Sequence, residues 1–110
     1  MDVSYTDYIP VLKAMADETR LKIVDMLSCE ELCANDILLE FKISQSTLSY
    51  HMKILTDAEI VMGRRDGAHM WYSLNKKKSD LLLEFLQLIT SEKEDCICRN
   101  IRKGKVKCNE

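Results

Sequence analysis

Five cysteines and one run of hydroxyl and amide side chains are the groups in this chain best equipped for chemistry. The cysteines are Cys29, Cys33, Cys96, Cys98 and Cys108. The last three stand in C-I-C-R-N-I-R-K-G-K-V-K-C-N-E, a C-x-C-x9-C pattern that brings three thiols within reach of one ion. Closing so short a loop costs little beyond ordinary loop entropy. Arg99, Arg102, Lys103, Lys105 and Lys107 are interleaved with them, and neighbouring cations favour the thiolate that soft metals and oxidants attack. Three sulfurs with no fourth donor suit As(III) or Sb(III), whereas zinc normally takes four ligands. Cd(II) and Pb(II) are further soft candidates that thiol count does not separate. Cys96, Cys98 and Cys108 are therefore the expected soft-ion site, with Cys33 and Cys29 as alternative members. An oxidant or persulfide acting on two of the thiols, with no metal, is the competing reading. A disulfide framework is disfavoured, because the number of cysteines is odd.

The second group is S-Q-S-T-L-S-Y-H-M-K-I-L, beginning at Ser44. Ser44 is a good N-cap for a helix over residues 44–57. Steps of 100° place Leu48, Met52 and Leu55 on one stripe, with Ser46, Ser49, Tyr50 and Lys53 opposite and Gln45 and Thr47 on the flanks. A generic surface helix would carry Glu and Lys there; this face carries hydrogen-bonding groups of little formal charge. Such a helix fits the DNA major groove and can address base edges or phosphates. His51 falls just beyond the apolar stripe, as a packing residue or a support for its neighbours.

These groups must be positioned by other elements. Three Gly and one Pro in 110 residues argue for a mainly helical chain. Asp7 could cap a first helix, with Pro10 in its first turn and Ile9, Leu12 and Met15 as its apolar side. Asp17 caps a second helix whose buried stripe is Ile23, Val24 and Leu27. S-C-E-E-L-C turns the chain, and Cys33 or Asn35 opens a third helix with Ile37, Leu38 and Phe41 on one side. After residue 57, I-V-M-G-R-R-D-G-A-H-M-W-Y-S-L predicts a β-hairpin turning at Asp66-Gly67. Arg64 and Arg65 stand just before its tip, where they could hold phosphates. A last helix is expected over residues 79–93. Leu82, Phe85, Leu86 and Ile89 form one stripe on it, and Leu81 and Leu88 begin a second. That is more apolar surface than one small core hides, which predicts a homodimer interface.

The expected fold is thus mainly α with a small β-hairpin, a winged helix-turn-helix over residues 1–95, followed by a basic cysteine-rich segment at 96–110. Charge supports this division. Residues 1–41 carry three Lys/Arg against nine Asp/Glu, while residues 42–78 carry seven against three. A basic middle inside a chain of net charge −2 suits a phosphate partner. Lys42 adds to that patch, whereas Lys76-Lys77-Lys78 is expected to be a solvated surface run. No basic start with an apolar run marks a secretory leader, and L-L-L-E-F-L-Q-L-I is too short to span a bilayer, so a cytoplasmic protein is expected. There is no C-x-x-C redox pair, Gly-rich phosphate loop or acid/base constellation, so an enzyme is not expected.

The stretches L-K-A-M-A-D-E-T-R-L-K-I-V, E-L-C-A-N-D-I-L, S-Q-S-T-L-S-Y-H-M-K-I-L and G-R-R-D-G-A-H-M-W-Y-S-L, in this order, resemble the ArsR/SmtB metalloregulators. The resemblance covers about residues 9–75. It implies a homodimeric repressor that leaves double-stranded operator DNA when an inducer binds, with the base-reading positions at Gln45, Ser46, Ser49 and Tyr50. The arsenic-responsive branch usually carries E-L-C-x-C-D. Here the motif is E-L-C-A-N-D, so Asn35 stands where a second thiol belongs, and Asn is a poor ligand for a soft ion. The family's zinc site on the last helix needs histidine, and residues 79–93 contain none. The only histidines are His51 and His69, and His69 in the wing has no partner ligand beside it in the sequence. Some similar regulators use clustered C-terminal cysteines instead, which returns the expectation to Cys96, Cys98 and Cys108.

Overall fold

The computed structural model describes residues 4–93. Its elements are helices α1 (Tyr5–Met15) and α2 (Glu18–Leu27), strand β1 (Leu32–Cys33), helices α3 (Ala34–Leu38) and α4 (Gln45–Asp57), strands β2 (Val61–Asp66) and β3 (His69–Leu74), and helix α5 (Lys76–Thr90). Val11 and Ala14 of α1, Ile23 and Leu27 of α2, and Ile37 of α3 meet Leu48, Met52 and Leu55 of α4 in one core. Ile60 and Val61 at the start of the hairpin, with Leu82 and Phe85 of α5, close it.

Short polar side chains start the helices. Asp17 accepts a hydrogen bond from the Arg20 amide at 3.0 Å, and Ser44 accepts one from the Thr47 amide at 3.1 Å, as expected of N-caps. Helices α1 and α5 begin earlier than their sequence signals suggested. Ser4 precedes α1, so Asp7 lies inside it and Pro10 falls in its interior rather than its first turn. The buried side of α1 is Val11 and Ala14, while Ile9 remains 43% exposed. Asn75 caps α5 by accepting from the Lys78 amide at 3.2 Å. The run Lys76-Lys77-Lys78 is therefore the first helical turn. Ammonium groups are unfavourable at that positive end of the helix dipole, and Asp80 offsets one of them by pairing with Lys76 at 3.3 Å. On α5, Leu82 and Phe85 are buried whereas Ile89 is exposed, so Ile89 belongs to the outward-facing residues and not to the core stripe.

The sheet has three antiparallel strands in the order β1-β3-β2, where the sequence suggested only a hairpin. Leu32 pairs with Tyr72 and Cys33 with Trp71, so the end of S-C-E-E-L-C is a strand. A strand of two residues has no alternation by which to recognise it. Asp66 pairs with His69, which makes the hairpin loop Gly67-Ala68 and not Asp66-Gly67. Gly67 has φ +64°, and a glycine at the first loop position is what a type II′ turn requires. At Gly63 a side chain would crowd the neighbouring strand: a Cβ there would lie 3.2 Å from Cε1 of Tyr72.

Candidate nucleic-acid interface and thiol positions

Helix α4 presents the face its spacing predicted. Burial of Leu48, Met52 and Leu55 turns Gln45, Ser46, Thr47, Ser49, Tyr50 and Lys53 outward, and all six are exposed. Near the N-terminus, Ser44 Oγ lies 3.1 Å from Ser46 Oγ and donates to Thr47 Oγ1 at 2.9 Å, which orients both hydroxyls. Lys53 is paired with Asp57 at 3.0 Å, one helical turn on. Both of these side chains are well exposed, so the pair holds Lys53 only weakly. Tyr50 is 62% exposed and packs edge-on against His51. The face offers donors and acceptors of mixed type with Lys53 as its one formal charge, which suits contact with base edges.

Arg20 fixes the helix from below. Its Nε donates to the Ala14 carbonyl at 2.6 Å, and its Nη1 lies 3.0 Å from Nδ1 of His51. One guanidinium thus joins the end of α1, the start of α2 and the middle of α4. Asp17 sits at the same junction. The Arg20 amide hydrogen bond holds its carboxyl below the ordinary carboxylate value, with the Arg20 charge helping and partial burial opposing.

The two wing arginines are not equivalent. Arg64 grips Glu31 with a bidentate fork, Nη2 to Oε1 at 2.7 Å and Nε to Oε2 at 2.9 Å. Its guanidinium carbon lies 5.6 Å from the centre of the Trp71 ring, and Asp66 stands 4.0 Å away. The hydrogen bonds between the two side chains push Glu31 down and Arg64 up from their ordinary pKa values. Arg65, one residue on and therefore on the other face of the strand, is exposed and has no ion pair among the described residues. Glu31 and Trp71 were not singled out from sequence. The alternation from Glu31 to Cys33 could have suggested one shared strand face, but only with the third strand in hand.

Cys33 is half-buried at the N-cap of α3. Its Sγ lies 3.2 Å from Oδ2 of Asp36, the same oxygen that accepts from the Cys33 amide at 3.4 Å. Pairing across the sheet puts Cys33, Trp71 and Arg64 in one row. Cys29 is exposed, with Ser28 Oγ 4.0 Å from its sulfur. Asn35 is exposed on α3. Among the described residues no three His, Cys, Asp or Glu side chains converge as a metal site, and His69 is exposed at the hairpin end. Cys96, Cys98 and Cys108 lie outside the described residues.

A further surface lies between α1 and α5. Tyr8 stacks on Phe85 with ring centres 4.2 Å apart, and Tyr5 meets the same ring edge-on at 6.3 Å. Beside this pair runs a groove that includes Leu81, Leu88 and Gln87. Tyr5, Ile9, Leu81, Leu83 and Ile89 are all large apolar residues left exposed on these two helices.

A short helix, a turn, a helix with an exposed polar face and a β-hairpin with basic residues near its tip define a winged helix-turn-helix. The model of the bacterial regulatory protein family arsR matches residues 17–62. The arsenical resistance operon repressor of Staphylococcus aureus is 44% identical over 102 residues, covering 93% of this chain and 98% of that protein. The repressor of the same description from Staphylococcus xylosus is 42% identical over 103 residues, covering 94% and 99%. Among solved structures, the homodimeric winged helix-turn-helix DNA-binding domain Mb0332 from Mycobacterium bovis superposes with a TM-score of 0.64. It covers 94% of this chain and 89% of its own at 20% identity, a likeness of fold. The chain belongs to the ArsR family of bacterial regulatory proteins, which are regulators and not enzymes.

Proposed function

We propose that this chain is a homodimeric transcriptional repressor that binds operator DNA and releases it when As(III) or Sb(III) binds cysteine thiolates. The observation that carries the reading is the exposed hydrogen-bonding face of α4, with Gln45, Ser46, Thr47, Ser49 and Tyr50 turned outward above a buried Leu48-Met52-Leu55 stripe. Lys53 and the wing add phosphate contacts, which position the helix while base edges supply specificity. The exposed apolar residues of α1 and α5 support pairing of two copies through these helices. Such a dimer sets two recognition helices about 34 Å apart on a palindromic site. Arsenical resistance repressors among the relatives support a soft inducer, with Cd(II) and Pb(II) as other candidates. Among the described residues no helix is long and apolar enough to cross a membrane, and the proposed place of action is the cytoplasm, with the DNA.

Residues 1–95 form the DNA-binding and dimerisation unit in this reading, and 96–110 the sensing segment. Cys96, Cys98 and Cys108 are the proposed ligands. Cys33 and Cys29 are the alternative, and Asn35 weakens a site built on them, since an amide is a poor soft-ion ligand. The test counts thiols protected by arsenite in the full chain, in a variant with Ser at 96, 98 and 108, and in one with Ser at 29 and 33. Protection of about three thiols, lost only in the first variant, together with arsenite-driven release of promoter DNA, is the expected result. Loss only in the second variant moves the sensor beside α4. Protection in none of them, with a mass change of two protons or of added sulfur after oxidant or persulfide, replaces the metal with thiol oxidation.

A further inference from the structure

Glu31 occupies the part of Arg64 that would grip a phosphate. A guanidinium recognises a carboxylate and a phosphate through the same bidentate fork of two parallel N–H groups. Here that fork, Nε and Nη2, is committed to the two oxygens of Glu31 at 2.9 and 2.7 Å. The other nitrogen, Nη1, faces Asp66 at 4.0 Å, and the Trp71 ring lies 5.6 Å from the guanidinium carbon. An exposed ion pair alone is a weak restraint. The bidentate geometry and the indole make this one more specific than a chance surface contact. Neighbouring Arg65, on the opposite strand face, has no such partner among the described residues.

From this geometry we infer that Glu31 is an autoinhibitory positioning residue: its carboxylate stands in for a DNA phosphate and withholds Arg64 from the duplex. Of the two wing arginines, only Arg65 then contributes a phosphate contact in the wild-type protein, and affinity for DNA is set below what the sequence of the wing would allow. The inference rests on the proposed function, since it needs the wing to meet DNA. It adds a device that tunes how tightly the wing holds.

The test uses the full chain and a random-sequence duplex of about 30 base pairs, because the phosphate contribution is independent of sequence. Binding is measured against salt for the wild type, Glu31→Gln, Glu31→Asp, Arg64→Ala and the double variant Glu31→Gln/Arg64→Ala. Melting followed by the single tryptophan, Trp71, verifies folding. Freeing one phosphate contact should steepen the log–log salt slope by about 0.9 and tighten binding roughly three- to tenfold near 0.1 M salt. Glu31→Gln should show that change. Glu31→Asp, which keeps the charge but shortens the reach to Arg64, should move the same way by less. Removing Arg64 should abolish the gain, so that the double variant binds like Arg64→Ala alone. A gain from Glu31→Gln that persists without Arg64 overturns the latch, because a deleted negative charge would then explain it. No gain, or weaker binding, overturns it too. If the wild type does not bind the duplex even at low salt, the proposed function fails first; if it binds and the variants match it, the latch alone fails.

Discussion

Nη1 of Arg20 lies 3.0 Å from Nδ1 of His51, thirty-one positions away in sequence. The contact requires the imidazole tautomer whose Nδ1 is unprotonated, so that the nitrogen can accept. It ties the base of the recognition helix to the junction of α1 and α2, where Arg20 also holds the Ala14 carbonyl. Arg20 therefore braces α4 from beneath its exposed face without reaching that face.

Replacing Arg20 with Ala should lower the unfolding free energy by about 1–3 kcal/mol, since a half-buried carbonyl and an imidazole nitrogen lose a charged donor. Arg20→Lys should recover little, because one ammonium cannot reproduce a fork reaching two separate acceptors. Urea unfolding followed by circular dichroism measures both. A wild-type midpoint in Arg20→Ala would mean that the junction is held by packing alone.

The wing arginines should separate in their salt dependence. Arg65→Ala should flatten the log–log slope for duplex binding by about 0.9, the loss of one phosphate contact. Arg64→Ala should leave that slope nearly unchanged, because Glu31 already neutralises the group. Fluorescence anisotropy at several salt concentrations distinguishes the two, and equal effects would contradict the asymmetry of the wing.

Asp17 should contribute a pH-dependent part of stability. Its folded carboxyl titrates below the ordinary value of 3.8 because the Arg20 amide donates to it. A depressed folded value means that its stabilisation is present above the unfolded pKa and is lost as pH falls through the folded one. Asp17→Asn keeps a capping oxygen but removes the titration, so its melting temperature should fall less steeply than that of the wild type on acidification below about pH 4. Asp17→Ala should cost about 1 kcal/mol at neutral pH. Parallel curves for wild type and Asp17→Asn would remove Asp17 from the acid response.

Glu59 follows the C-cap of α4 with φ +64°, a left-handed conformation that glycine tolerates better. Its carbonyl accepts from Asn75 Nδ2 at 2.7 Å, which joins the end of α4 to the start of α5. Glu59→Gly keeps that carbonyl and relieves the strain, giving up a long pair, 3.9 Å, between the exposed Glu59 carboxylate and the half-buried Lys78. It should stabilise the protein by about 0.5–1 kcal/mol, read as a rise in melting temperature. A fall would show that the added freedom of the unfolded chain outweighs the strain.

What the amino-acid order determined by itself was whatever depends on local periodicity and capping. The Leu48-Met52-Leu55 stripe settles which side of α4 faces out, because 3.6 residues per turn leave one outcome once that stripe is buried. The caps Asp17 and Ser44 and the existence of the hairpin were equally local. Tertiary structure alone decided the rest. The length of α5 depended on Asn75, whose side chain serves the α4 terminus as well as capping the helix. The third strand exists because Leu32 and Cys33 find Tyr72 and Trp71, and two residues carry no period of their own. The inequality of Arg64 and Arg65 has the same origin. They are adjacent and alike in sequence, but alternation along a strand sends them to opposite faces, and only the folded sheet brings Glu31 and Trp71 to one of them.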